Sequence, residues 1–449
     1  MQDVSTAPSS TAATVAAAAL DGPGRTLHAT VALADTAAAE AAHRDALREG
    51  GVSLGPLHGV PFAVKDIIDV AGMPTAAGSA TRPDQPAAAT DATVVARLRA
   101  AGAVVTAKVH TVEHAFGGWG TNASQGTPVN PWRRDVPYTP GGSSSGTGVA
   151  VGARLVPAGL GTDTGGSVRI PAAFCGCVGH KSSIGLVSRA GVVPLSGTFD
   201  TVGPLTDTVR RAAEMLAAMQ GEDAADASTH GIARADPCAG LDRGIAGLTL
   251  VHPPHETLLR CDPQILTAFE AACDLLSAAG AVLLPRVLPH DVLEYQRRAT
   301  TIIASDAYSL YAEMADDPAT LLNATTRMRI LMGRDVSAYE RLRAERARAV
   351  DIAEFAAWMD RADAMVLPTT PLLPVPHAVA DENVYDMSLY TRMNNYLGLC
   401  GLSVPMGLSV EGLPMGLQIV GRHLDDPLVL RIGAAFEAAR GPFAAPPAV

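Results

Sequence analysis

Between Pro140 and Pro171 the chain sets two clusters of glycine and hydroxyl residues around a short apolar segment. The first reads Pro-Gly-Gly-Ser-Ser-Ser-Gly-Thr-Gly and the second, from Gly161, reads Gly-Thr-Asp-Thr-Gly-Gly-Ser-Val-Arg-Ile-Pro. Glycine has no side chain, so its amide can approach a ligand closely and its φ can turn positive. Hydroxyls in such loops are either turn formers or nucleophiles. One cluster alone reads as a turn. Two, together with a lysine at the end of an apolar run near residue 65, point to a site.

The 449 residues suggest two or three domains by length alone, although α/β enzymes often keep one large sheet at this size. Apolar residues make up 48% but aromatics only 4%, so alanine and valine carry the core and small-residue helices pack closely. No apolar run is long enough to span a bilayer, and Met1-Gln2-Asp3 lacks the positive start of a signal peptide. A cytoplasmic protein with no membrane partner is expected. The net charge of −11 disfavours a broad phosphate-binding surface, and with it direct nucleic-acid binding. The six cysteines are scattered, as expected of reduced thiols packed as small hydrophobes, and Cys175-Gly176-Cys177 has the wrong spacing for a thioredoxin-type pair.

In chain order, residues 10–48 read as two alanine-rich helices broken at Asp21-Gly22-Pro23-Gly24, the second from about Leu33 to Arg48. The β-branched run before Lys65 reads as a buried strand with Lys65 where it emerges. A helix from Asp91 to Ala101 stops at Gly102 and leads into a strand ending near Lys108, a helix-to-strand unit of an α/β fold. A further helix is expected over Thr111–Phe116, then an irregular run to Tyr138. Beyond Lys181 come short strands, a helix near Asp207–Gln220, a strand at Leu248–Val251, and a mostly helical stretch from Asp262 to about Met365. That stretch is interrupted by strand-like pieces at Ala281–Leu284 and at Met365–Pro368. A hairpin of buried strands and a helix from Pro427 to Arg440 end the chain.

Several motifs compete for the chemistry. His110-Thr-Val-Glu-His114 fits a zinc pattern that places two imidazoles on one helical face, but it also fits an ordinary helix. Gly142-Ser-Ser144-Ser-Gly146 fits a nucleophile elbow, yet two prolines in the six residues before it argue against the strand an elbow requires. No Gly-Lys-Ser/Thr follows the glycines as a P-loop needs, and the glycine spacing misses the dinucleotide fingerprint.

The remaining constellation is Lys65, the serines at 143–145, and Ser167. With Gly59-Val-Pro-Phe-Ala-Val-Lys65-Asp66, Gly126-Thr-Pro-Val-Asn-Pro131, both clusters, Phe174 to Lys181, Ser188 to Pro194, Asp200-Thr-Val-Gly-Pro204 and Gly412 to Gly421, the chain resembles the amidase signature family. Those enzymes hydrolyse carboxamides with a Ser-Ser-Lys triad. The resemblance spans most of residues 50–220 and returns near the C-terminus. It departs at Ser145-Gly146, where a second glycine pair is usual, and at Gly179-His-Lys-Ser182, where Gly-Leu-Lys-Pro is usual.

The resemblance implies one α/β domain over residues 1–449, a mixed central sheet covered by helices, with N-terminal helices in 1–50 and a peripheral helical layer within about 262–365. It assigns Ser167 as nucleophile, Ser143 as bridging serine held by a cis peptide, and Lys65 as base, with Ser143 and Ser167 at the family's spacing of 24 residues. A serine hydroxyl needs a base, and lysine serves only when neutral, which burial favours. Asp66 would undo this by pairing with Lys65, but adjacent strand residues face opposite ways. The backbone amides of Thr164, Gly165, Gly166 and Ser167 are the expected oxyanion donors. Trp119, Tyr138, Ser144 and Arg169 are candidate substrate contacts, Arg169 equally a brace for its loop.

The reaction expected is cleavage of a small-molecule amide to a carboxylate plus ammonia or an amine, with no metal or organic cofactor and with homodimer formation left open. One alternative is the glutaminase (A-type) component of a tRNA-dependent amidotransferase, which needs partner subunits and a pocket for glutamine's charged α-groups; Arg327, Arg329 and Asp386 are its candidates. Another is a non-catalytic binding protein on the same fold.

Overall fold

The glycine- and proline-bounded apolar runs do become strands. In the computed structural model, which describes residues 8–82, 84–258, 260–381, 383 and 387–449, eleven of them form one mixed sheet. They are β1 (Thr30–Leu33), β2 (Pro61–Lys65), β3 (Val104–Val109), β4 (Ala158–Asp163), β5 (Val178–Lys181), β6 (Thr201–Thr206), β7 (Thr249–His252), β8 (Val282–Pro285), β9 (Ala364–Pro368), β10 (Cys400–Leu408) and β11 (Pro414–Gly421). Their order is β1-β3-β2-β4-β6-β5-β10-β11-β9-β7-β8. This is a single α/β domain with helices on both faces of the sheet.

At the centre of one half, β2 runs parallel to both β3 and β4, and every residue of the three is buried. Strands covered on both faces are mostly apolar, as Val-Val-Thr-Ala-Lys-Val is in β3, where the two polar side chains find partners inside: Thr106 donates to the Phe62 carbonyl and Lys108 pairs with Asp66. The antiparallel pairing of β4 with β6 sets Asp163 opposite Thr201. The hairpin β10–β11, antiparallel with its loop at 409–413, docks on β5 and β9 and joins the two halves. One apolar cluster runs through most of the chain, with alanine, valine and leucine its main constituents.

Helices cover the sheet. Helix Ser9–Asp21 packs on Ala37–Glu49, and Val209–Met219 packs on Asp426–Arg440. Helix Val292–Asp316 packs against Ala324–Leu331, Ala338–Trp358 and Arg392–Leu397. Local chemistry fixes their ends: Asp262 caps Pro263–Ala278 by accepting the Gln264 amide, and Ser337 with Glu340 forms a capping box on Ala338–Trp358.

Two sequence expectations change here. Residues 10–48 hold not only helices but also β1, an edge strand that pairs with β3 alone. The helix expected over Thr111–Phe116 is a single turn, Glu113–Ala115, because His114 and Ala115 take φ of 47° and 58°. Such left-handed backbone ends a helix. Among the described residues no helix is long and apolar enough to cross a membrane.

Candidate active site

Lys65 is the last residue of β2 and is fully buried. Its neighbours are hydroxyls: Nζ lies 2.7 Å from Ser143 Oγ and 2.8 Å from Thr162 Oγ1, the latter on β4 beside β2. Hydroxyls satisfy the amine without neutralising an ammonium. Burial therefore dominates and pulls the Lys65 pKa down to about 7, against the opposing pull of Asp163 and Asp200. Asp66 does not interfere, because its carboxylate turns to Lys108 on β3 at 3.1 Å.

Ser143 follows a cis peptide bond from Gly142. Its carbonyl accepts the Val112 amide and the Thr111 hydroxyl, both at 3.1 Å, so the turn is pinned from the β3 side. A side chain at Gly142 would place Cβ 2.7 Å from the Gly120 nitrogen, which only glycine avoids. The next residue, Ser144, donates its amide to the Ser167 carbonyl at 3.2 Å and so ties the first loop to the second. Helix Ser145–Gly152 starts directly afterwards.

The second loop leaves β4 at Asp163, whose carboxylate organises it. Oδ1 accepts the Gly166 amide at 2.7 Å and Oδ2 the Val168 amide at 3.1 Å, while Arg169 reaches back to both oxygens at 2.9 and 3.0 Å. Burial alone would raise the Asp163 pKa; the Arg169 charge and hydrogen bonds, with Lys181 and Asn395, hold it well below the usual carboxylate range. Gly166 takes φ of 134°, and a Cβ there would meet Thr391 Oγ1 at 2.1 Å. The loop is closed against Thr391, whose hydroxyl donates to the Gly165 carbonyl at 2.7 Å.

Ser167 opens onto a cavity of about 410 Å³. Thr164 and Gly165 line it beside Ser167, Phe116 to Trp119 form one wall, and Thr300, Ile303 and Ala304 of helix Val292–Asp316 form another. Arg329 and Arg392 add two guanidinium groups to a mixed lining in which Met328, Met332 and Met387 stand beside Ser388 and Asn383.

The amidase family model matches residues 20–430. The chain belongs to the amidase family. It is 38% identical over 434 residues to the A-type component of the glutamyl-tRNA(Gln) amidotransferase of Acidobacterium capsulatum, covering 90% of each chain. In structure it is similar to the native peptide amidase of Stenotrophomonas maltophilia, with a TM-score of 0.86, 31% identity and 98% and 95% of the two chains covered. It is also similar to a chain from a vestigial protein complex connected with the origins of an s-triazine catabolic enzyme, with a TM-score of 0.90, 29% identity and coverage of 96% and 95%.

The candidate substrate contacts of this amidase separate cleanly. Trp119 lines the cavity. Tyr138 is half-buried beneath Arg133, and its carbonyl accepts from Asn130 and His377; it is not part of the cavity wall. Ser144 turns its hydroxyl to the Thr162 backbone, away from the cavity. Arg169 is fully buried and spends its guanidinium on Asp163, the Thr391 carbonyl, Gln418 and Asn395, so it braces the loop and meets no substrate. Of the expected oxyanion donors, the Gly166 amide is committed to Asp163. Arg169→Met would strand a buried carboxylate and is expected to cost about 3–5 kcal/mol of stability, read as a fall in urea midpoint.

The zinc motif does not assemble. His110 and His114 share no helix, and Glu113 is held by Ser79 and the Asn323 amide. Among the described residues the one grouping of three possible ligands is His290, Asp351 and Glu354, and there Arg298 and Tyr396 already occupy the oxygens of Asp351. Thr162 and Asp200 fall inside segments that carry the family resemblance but have no role assigned there, and Thr391 and Arg392 lie in no motif; sheet register and long-range packing bring all four to the site.

Proposed function

We propose that this amidase cleaves a carboxamide through an acyl-enzyme on Ser167. The observation that carries the reading is a fully buried lysine whose amine meets Ser143 at 2.7 Å, with the Ser143 loop tied to Ser167 beside a cavity. Neutral Lys65 takes the Ser143 proton as Ser143 takes that of Ser167, and Ser167 Oγ bonds to the carbonyl carbon. The oxyanion accepts from the amides of Thr164, Gly165 and Ser167, each such donor typically worth about 2.7–4 kcal/mol. The proton returns through Ser143 to the leaving nitrogen as the C–N bond breaks. Water then enters by the same relay and releases the carboxylate.

For the substrate, the sequence relatives favour glutamine, cleaved by one component of a tRNA-dependent amidotransferase. The two arginines of the cavity suit a glutamine α-carboxylate. Arg329, which also donates to the Phe116 carbonyl, is one of them, and Arg392, which also donates to Thr300, is the other; Arg327 lies outside the lining and donates to the carbonyls of Ala315, Asp317 and Thr320 at a helix end. Asp386 lies outside the described residues. The apolar part of the lining, with Trp119 and the methionines, equally suits a larger amide. Native mass spectrometry of the protein from its own cells, with ammonia release measured from glutamine and from aliphatic and aryl amides, separates the two. The glutaminase reading expects a heteromeric complex that turns over glutamine. An isolated homomer that cleaves simple amides and ignores glutamine would overturn it. A non-catalytic role would leave the protein unlabelled by a fluorophosphonate.

A further inference from the structure

Asp200 is a buried carboxylate that the mechanism above does not use. It stands immediately before β6, opposite the end of β4. Its Oδ1 accepts the Thr164 hydroxyl at 2.5 Å, and its Oδ2 accepts the amides of Leu195 and Ser196 at 2.8 and 2.9 Å. Thr164 and Leu195 both line the 410 Å³ cavity. Asp200 itself faces a second cavity of about 240 Å³, whose lining also holds Thr162, the hydroxyl partner of Lys65.

We infer that Asp200 is a positioning residue with two duties: it clamps the oxyanion loop at Thr164 to the wall at Leu195, and its negative charge stabilises the ammonium that forms on Lys65 during proton transfer. The inference rests on the proposed roles of Lys65 and Ser167. The clamp follows from geometry, because one carboxylate holds three donors from two segments that both line the substrate cavity. The charge follows from placement. Lys65 makes no ion pair among the described residues; Asp163 ends the neighbouring strand β4, and Asp200 faces the same small cavity as Thr162, the hydroxyl partner of Lys65. Asp163 is already compensated by Arg169 at 2.9 Å. Asp200 has no such contact: Arg189 acts on it only at longer range and is itself paired with Asp226 at 3.4 Å. On the other side, Tyr311 of helix Val292–Asp316 feels the Asp200 charge but donates its hydroxyl to the Pro194 carbonyl. Burial pushes the Asp200 pKa up, while the Thr164, Leu195 and Ser196 bonds and Arg189 oppose this; all three bonds are donated to it and favour the carboxylate.

The test is the pH profile of Ser167 labelling by a fluorophosphonate, which needs no known substrate. Asp200→Asn is expected to slow labelling at its plateau about tenfold or more and to move the acid limb down by roughly half a pH unit or more, because Lys65 loses an anionic neighbour and becomes less basic. Thr164→Val keeps the charge and is expected to slow labelling with the acid limb unmoved. If Asp200→Asn does not fold, as judged by circular dichroism, Asp200→Ser removes the same charge in a smaller side chain and must move the limb the same way. An acid limb that stays put or rises in a folded Asp200 variant overturns the inference while leaving the triad intact. A wild type that does not label, or a Ser167→Ala protein that labels equally well, overturns both.

Discussion

Ser167→Ala is expected to remove amide hydrolysis by a factor on the order of 10⁴–10⁶, with fluorophosphonate labelling lost entirely. Ser167 is partly accessible at the cavity floor, so the substitution removes one oxygen from an open face and leaves the loop's own bonds untouched. Asp163 would still hold the Gly166 and Val168 amides, and Thr391 the Gly165 carbonyl. The melting temperature should therefore stay within about a degree or two of wild type, which assigns the loss to chemistry. Substrate affinity, measured by calorimetry on the dead variant, should survive, since the cavity walls come from other residues. Hydrolysis persisting in Ser167→Ala at more than a hundredth of the wild-type rate would move the nucleophile elsewhere.

Much of this site was legible because its parts are local. An apolar run ending in lysine marks where β2 meets the loops, and paired glycine–hydroxyl clusters mark the loops themselves. Gly166 shows why the pattern is informative: its φ and its closeness to Thr391 admit no other residue without strain. The same local logic failed at His110 to His114. The pattern fits one helical face, but a left-handed turn at His114 breaks the helix, and no local cue in the sequence distinguishes the two.

The parts that could not be read are those made by pairing at a distance. Asp200 comes to the loop at Thr164 because β6 lies antiparallel beside β4, and Thr162 comes to Lys65 because β4 lies parallel beside β2. Neither register is written in one segment. Arg169 illustrates the ambiguity of a single charged residue: beside a serine it suggests a carboxylate ligand, and only Asn395 and Gln418, more than two hundred residues away, reveal a brace. The strand β1 was hidden for a different reason. Its four residues lie in an alanine-rich stretch whose composition favours helix, and edge pairing overrides that preference.

Lys65→Met should be nearly as damaging as loss of the nucleophile, with about a 10³–10⁵-fold fall in rate, yet it should raise stability. An amine with a folded pKa near 7 and an ordinary value of 10.5 is harder to protonate in the folded chain than in the unfolded one. Between those values the unfolded chain binds more protons, so wild-type stability climbs as pH rises through that window, and below it the cost of burying an ammonium is present in full. Methionine removes the cost. The variant's gain in melting temperature should thus be greatest near pH 6 and fade as pH approaches 10. Wild-type activity follows the same proton: kcat/KM should fall below an acid limb near pH 7, because Lys65 is then charged and cannot accept the Ser143 proton. A melting gain that does not depend on pH, or a wild-type profile flat from pH 5 to 8, would remove Lys65 from the role of base.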